Sequence, residues 1–149
     1  MEGLKFDLRI YVLICGTNPL RLYCYEEGLA RLATEKYTTP DKKNIKNFYM
    51  HLTNYAVNKK NPKYIYNSSV QNMETGHKRS ITSIYKYIKR RGYDVEKLKS
   101  KIYDVIVKTL ILGEPIMSHQ YKFAQPDDED RNMCFHIIGL DVMLAYRNK

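Results

Sequence analysis

The chain has 149 residues, 44% of them hydrophobic, which suits one ordinary domain with its own core and excludes a disordered chain. No apolar run reaches bilayer-spanning length, the opening MEGLKFDLRI carries charges where a signal peptide needs its apolar stretch, and the three cysteines lack Cys-x-x-Cys or finger spacing, which argues for reduced cytosolic thiols and against structural zinc. The net charge of +9 is concentrated: residues 36–108 hold 17 basic and 5 acidic side chains, while both flanks are slightly acidic.

Leu4, Phe6, Leu8 and Ile10 alternate with Lys5, Asp7 and Arg9, the period-2 mark of a strand with one wet face, and the run then turns wholly apolar up to Gly16. Gly16-Thr17-Asn18-Pro19 predicts a hairpin turn into a second strand, LRLYCYE. Glu26-Glu27-Gly28 predicts a further turn leading into LARLATEKY. Residues 38–80 read as irregular, and so long a connection in a small domain is usually functional or mobile.

Ile81, Ile84, Tyr85 and Ile88 share one helical face in 81–91, and Gly92 supplies the stop. Asp94 is a good N-cap for a second helix with apolar residues from Val95 to Leu110 at three- and four-residue spacing, expected to end at Gly113-Glu114-Pro115. DDED at 127–130 predicts an acidic turn, and CFHIIGLDVMLAY, 134–146, a last buried strand. Strands, then helices, then one more strand imply a mixed α/β (α+β) domain.

Three places put polar groups where burial disfavours them. Lys5, Asp7 and Arg9 share one face of the first strand, and such a row is costly to bury unless it meets a ligand or its own partners. Asp141 sits among apolar residues of the last strand, where a carboxylate coordinates a metal, caps something or has a raised pKa. The third is HLTNYAVNK, residues 51–59, which reads equally as a polar turn or as a ligand loop. The basic middle third predicts a positive face for an anionic partner, nucleic acid or an acidic protein surface; the 14 tyrosines, however, form no base-stacking motif.

KFDLRIYVL, GLARLATEKY, HLTNYAVNK, GHKRS and GLDVML, in this order, resemble the catalytic core of the tubulin tyrosine ligase-like proteins, ATP-grasp ligases that add amino acids to tubulin. The ATEKY and KRS segments look closer to the polyglutamylase branch. The resemblance implies an ATP-grasp-like fold with a mixed, mainly antiparallel sheet, and residues 1–149 as part of one catalytic domain. It also implies an ATP-dependent reaction in which a glutamate side chain of a tubulin tail becomes an acyl phosphate and is attacked by the amino group of free L-glutamate. The expected cofactors are ATP and Mg²⁺. The expected partners are tubulin C-terminal tails on microtubules, with neither nucleic acid nor membrane, in the cytoplasm and on the cytoskeleton, including cilia.

Carried over by position, the resemblance implies that Lys5 and Asp7 contact the nucleotide, and that Arg9 faces the phosphates or the acidic reactant. It has Thr53 and Asn54 bond ATP, with His51 nearby. Arg31 would clamp the carboxylate of the incoming glutamate, Tyr55 and Lys78 would complete that pocket, and Asp141 would ligate Mg²⁺. The family's further Glu-x-Asn metal-ligand pair would fall beyond Lys149, and its N-terminal lobe before Met1, so these residues alone are expected not to ligate. The alternative expectation is a non-catalytic tubulin-binding domain with a basic face.

Overall fold

The structure, a computed structural model, describes residues 1–67, 73–130 and 133–145. Four strands, β1 (Leu4–Thr17), β2 (Leu20–Lys36), β3 (Lys78–Ser80) and β4 (Phe135–Val142), form one sheet in the order β3-β2-β1-β4, with all three pairings antiparallel. Alternation on β1 divides the sheet into two faces. Leu8, Ile10, Val12 and Ile14 point to one side and are buried. There they pack with Ala30 and Leu32 of β2 against α3 (Ile81–Arg90) and α4 (Val95–Ala124), whose Ile81, Ile84, Ile102, Ile106 and Leu110 complete the core. Lys5, Asp7 and Arg9 point to the other side. Burying a leucine or isoleucine side chain is worth about 1.5–3 kcal/mol, so the apolar parity of β1 dictates which of its faces is left for polar work.

The helix starts follow the expected capping chemistry. The Asp94 side chain accepts a hydrogen bond from the Lys97 amide (2.9 Å), and Ser80 does the same for α3 from the Ser83 amide (3.1 Å). Gly92 ends α3 with a positive φ of 81°.

Four expectations need correcting. Glu26-Glu27-Gly28 is not a turn: β2 runs through it. Ile10 pairs with Gly28 and Val12 with Cys24, so Tyr11 alone faces Tyr25, Glu26 and Glu27, which is a bulge. Glu27 holds it by accepting from the amides of Gly28 (3.0 Å) and Thr82 (3.1 Å). The turn-like composition marks a strand irregularity, with Gly28 allowing the close approach. A Cβ there would overlap the Arg9 carbonyl oxygen and lie 2.7 Å from Ile81 Cδ1. Gly28→Ala is therefore expected to cost about 1–3 kcal/mol in urea unfolding, and an unchanged midpoint would show that the bulge yields freely.

Second, α4 continues through Pro115 to Ala124. A proline removes one amide donor and crowds the preceding turn, yet Met117, Gln120, Lys122 and Ala124 after it favour helix, and the end is tied down where the Tyr121 hydroxyl meets Asp128 and the Cys134 amide. Third, β4 is an edge strand and not a buried one: Ile138, Leu140 and Val142 lean on the core, whereas Phe135, Ile137 and Met143 are exposed. Tyr146, its expected last residue, lies outside the described residues. Fourth, the segment 38–80 contains two single-turn helices, α1 (Phe48–His51) and α2 (Tyr55–Asn58), and the short β3. Among the described residues no helix is long and apolar enough to cross a membrane.

Candidate active site

The antiparallel register aligns charged residues across the polar face of all four strands. Arg31 of β2 lies opposite Asp7 of β1 on one side and Lys78 of β3 on the other, while Arg9 of β1 lies opposite Asp141 of β4. The side chains then join. Arg31 donates through Nε to Asp7 Oδ1 (2.9 Å) and through Nη2 to Asp7 Oδ2 (2.5 Å), and Nη2 is also 2.7 Å from Asp141 Oδ2. Arg9 forks onto the same Asp141, with Nη2 3.0 Å from Oδ2. Planar guanidinium forks match carboxylates in pairs, which makes this the strong form of the interaction. Hydrogen bonds from Arg9, aided by Arg31, hold the Asp141 carboxyl below its ordinary value of 3.8 against partial desolvation. The hydrogen bond to Asp7 likewise raises Arg31 further above its already high range, against burial.

A folded pKa below the unfolded one means stabilisation that is present above the ordinary carboxylate value and lost as pH falls through the folded value. The urea midpoint should therefore drop when pH is lowered from neutral to below 3.8, and Asp141→Asn should flatten part of that slope. Identical slopes in both proteins would contradict the coupling of β1, β2 and β4 through this carboxylate.

HLTNYAVNK resolves into a turn of helix, an extended link and a second turn. His51 ends α1, Thr53 lies in the link and Tyr55 opens α2. The Thr53 hydroxyl donates to Asp7 Oδ2 (2.8 Å), and the Lys5 ammonium donates to the His51 carbonyl (2.6 Å), so β1 grips the stretch at two points. The His51 ring is occupied elsewhere, with Nε2 3.1 Å from the Asn44 carbonyl oxygen and its face edge-on to Tyr37. Asn58 anchors the whole stretch and is fully buried. Its Oδ1 accepts from the Thr34 amide (3.0 Å) and hydroxyl (2.9 Å), and its Nδ2 donates to the carbonyls of Leu52 (2.8 Å) and Asn54 (3.2 Å).

Arg9, Arg31, Thr53, Tyr55 and Lys78 line one cleft of about 170 Å³. Asp7 and Asp141 brace its arginines, whereas Lys5 and His51, joined to each other through the His51 carbonyl, are not part of its lining. Asn54 is exposed and enters this geometry through its carbonyl, its side chain making no hydrogen bond among the described residues. Sequence reasoning missed five further lining residues, Tyr11, Leu29, Leu32, Tyr64 and His77. Strand parity could have found two of them: Tyr11 follows Arg9, and Leu29 precedes Arg31, by one two-residue step. Tyr64 and His77 come from the irregular segment, where no periodicity marks a direction.

Cations from three strands, hydroxyls and an aromatic wall suit an anionic, hydrogen-bonding ligand with carboxylate or phosphate groups. A Mg²⁺ ion fits the described residues poorly, because both Asp141 oxygens are engaged by arginines and no group of three His, Cys, Asp or Glu there could hold a metal.

A sequence profile described as the tubulin-tyrosine ligase family matches residues 1–149. The chain is 49% identical, over 97% of its length, to a probable beta-tubulin polyglutamylase of Tetrahymena thermophila. Over its whole length it is 43% identical to tubulin polyglutamylase ttll6 of Danio rerio and 41% identical to tubulin polyglutamylase TTLL7 of Mus musculus. It spans 12%, 18% and 16% of the lengths of these relatives, respectively.

Proposed function

Because the chain belongs to the tubulin-tyrosine ligase family, we propose that it forms part of the catalytic core of an ATP-dependent ligase that joins L-glutamate to glutamate side chains of tubulin tails. The observation that carries this reading is the meeting of Arg9, Arg31 and Lys78, from three strands, at one cleft. The relatives named as polyglutamylases supply the substrate class.

In the reaction the terminal phosphoryl group of ATP passes to a tail carboxylate, and the amino group of glutamate then displaces phosphate from the acyl phosphate, losing a proton and leaving an isopeptide bond. The chain's residues have to neutralise anions and orient two reactants. Arg31 is held rigid by Asp7 through Nε and Nη2, which leaves its Nη1 donors for the α-carboxylate of glutamate. Lys78 brings a second cation, Tyr55 closes one side, and Lys5, Arg9, Thr53 and Asn54 lie toward the nucleotide. Asp7, with both oxygens engaged by Arg31 and Thr53, acts here by positioning; contact with a ribose would require that pair to open. Asp141 supplies at most one of the oxygens Mg²⁺ needs, and no step is assigned through it.

The basic middle third gives the acidic tail a long-range attraction. Lys42, Lys43, Lys46, Lys59 and Lys60 lie on or beside the irregular segment, and Lys89 and Arg90 end α3. Binding of a glutamate-rich tail peptide is expected to fall steeply between low and physiological salt, because exposed charges are screened over about 8 Å at that ionic strength. Glutamate transfer to microtubules by a longer polypeptide carrying these residues, lost in Arg31→Ala, tests the enzymatic reading directly. Salt-insensitive peptide binding, or equal binding of an RNA of matched charge, would overturn the partner; tail binding indifferent to ATP would favour the non-catalytic alternative.

A further inference from the structure

His77 is largely buried, yet one of its ring nitrogens has no protein partner among the described residues. It is 8% exposed. Its amide donates to the Ile65 carbonyl (3.1 Å) and its carbonyl accepts from the Leu32 amide (2.9 Å), so the backbone is locked to β2 on one side and to the irregular segment on the other. The Nδ1 atom accepts from the Ile65 amide (2.9 Å), which leaves Nε2 to carry the ring proton. The ring lies 5.3 Å from Tyr64, tilted by 31°, and lines the same cleft as Arg31 and Lys78. Nε2 has no hydrogen-bond partner among the described residues. Burial lowers the imidazole's proton affinity, consistent with a neutral ring. Among the described residues Thr17 Oγ1 alone is a fully buried side-chain polar atom without a partner, so the Nε2–H keeps access to solvent, and the ring that carries it lines the cleft.

Lys78 stands next to it in the chain, and its ammonium makes no ion pair among the described residues. The opposite situation holds for Arg31, whose charge is already shared between two carboxylates. Among the donors left in the cleft are the Lys78 ammonium and the imidazole N–H, a pair that a carboxylate can take with one oxygen each.

We propose that His77 is a specificity-determining residue of the cleft, its Nε2–H and the Lys78 ammonium together receiving the side-chain carboxylate of the incoming glutamate. The proposal rests on the glutamate-ligase reading and adds to it a neutral, directional donor that distinguishes a carboxylate held at this distance from a shorter or uncharged side chain.

The two ring nitrogens can be tested apart. His77→Asn puts an amide oxygen near the Nδ1 position, keeping the acceptor for Ile65 but deleting the donor into the cleft. His77→Gln puts an amide nitrogen near the Nε2 position, keeping that donor while weakening the anchor. L-Glutamate affinity of the 149-residue chain is measured by NMR titration in the presence of Mg-ATP, alongside thermal stability and the imidazole ¹⁵N shifts. The proposal expects His77→Asn to weaken glutamate binding about tenfold to a hundredfold at nearly unchanged stability, and His77→Gln to bind well but melt earlier. It also expects the wild-type Nε2 resonance, and not Nδ1, to move on adding glutamate. A purely structural histidine gives the reverse pattern in the variants and a still Nε2, which overturns the proposal while leaving the ligase reading intact. Wild-type chain that shifts Nε2 with acetate but ignores glutamate keeps the carboxylate receptor and removes the amino acid. Absence of both responses overturns the proposal together with the reading beneath it.

Discussion

Arg31→Ala is expected to lower stability by about 3–5 kcal/mol and to abolish glutamate binding. Removing this guanidinium leaves Asp7, whose side chain is 7% exposed, as a buried carboxylate with only the Thr53 hydroxyl and no cation, and it takes one of two arginines from Asp141. Most of the loss is the desolvation of that stranded charge and not the intrinsic worth of the ion pair. The design that exposes this is a double-mutant cycle: Asp7→Asn and Arg31→Met should together cost clearly less than the sum of the two single changes. Arg31→Lys should recover only a fraction, since one ammonium cannot reproduce the fork on Asp7 while reaching Asp141. Urea unfolding of the four proteins decides it. Strict additivity, or a loss for Arg31→Ala below about 1 kcal/mol, would show that the pair behaves as a solvated surface contact.

Asn58→Ala is expected to cost roughly 3–5 kcal/mol, an unusually large effect for a small polar residue in a loop. Its amide satisfies the Thr34 amide and hydroxyl from one end and two carbonyls of the HLTNYAVNK stretch from the other, at zero exposure. Alanine leaves the buried Thr34 amide without its acceptor and the Leu52 carbonyl without its donor, while the Asn54 carbonyl keeps the Val57 and Asn58 amides. Asn58→Asp should be no better at neutral pH, because one carboxylate oxygen would face the Leu52 and Asn54 carbonyls. Hydrogen exchange offers a second reading: protection should fall over residues 48–61 while the α3 and α4 amides keep theirs. Equal protection in the variant would mean that the segment is held by other contacts.

These two residues show how much of the site was legible beforehand. Alternation along β1 identified Lys5, Asp7 and Arg9 as a polar row, and the hydrophobic spacing of 81–110 located both helices and their inner faces. Pairing could not be read this way. Nothing local states that Asp7 meets Arg31 or that Asp141 answers Arg9, because register is a property of two strands, and in the first pair it also passes through a bulge that composition alone makes look like a turn. Asn58 was invisible for a related reason. Asparagine is an ordinary loop residue, and only the arrival of Thr34 from a distant strand makes it structural. Pro115 misled in the opposite direction, as a strong local signal overridden by a helix secured beyond it. The orientation of β4 was misread because a run of apolar residues has the same appearance at the edge of a sheet as at its centre.

Lys78, Arg31, Asp7, Arg9 and Asp141 all take their places from the zipper of main-chain bonds that aligns the four strands. A slide of β1 by one position would send Asp7 and Arg9 into the greasy layer under the helices and turn Leu8 and Ile10 outward. No half-shifted arrangement keeps part of the machinery working. Heat inactivation and collapse of the sheet are consequently one event, and stability gained anywhere in that layer widens the temperature range over which the constellation survives.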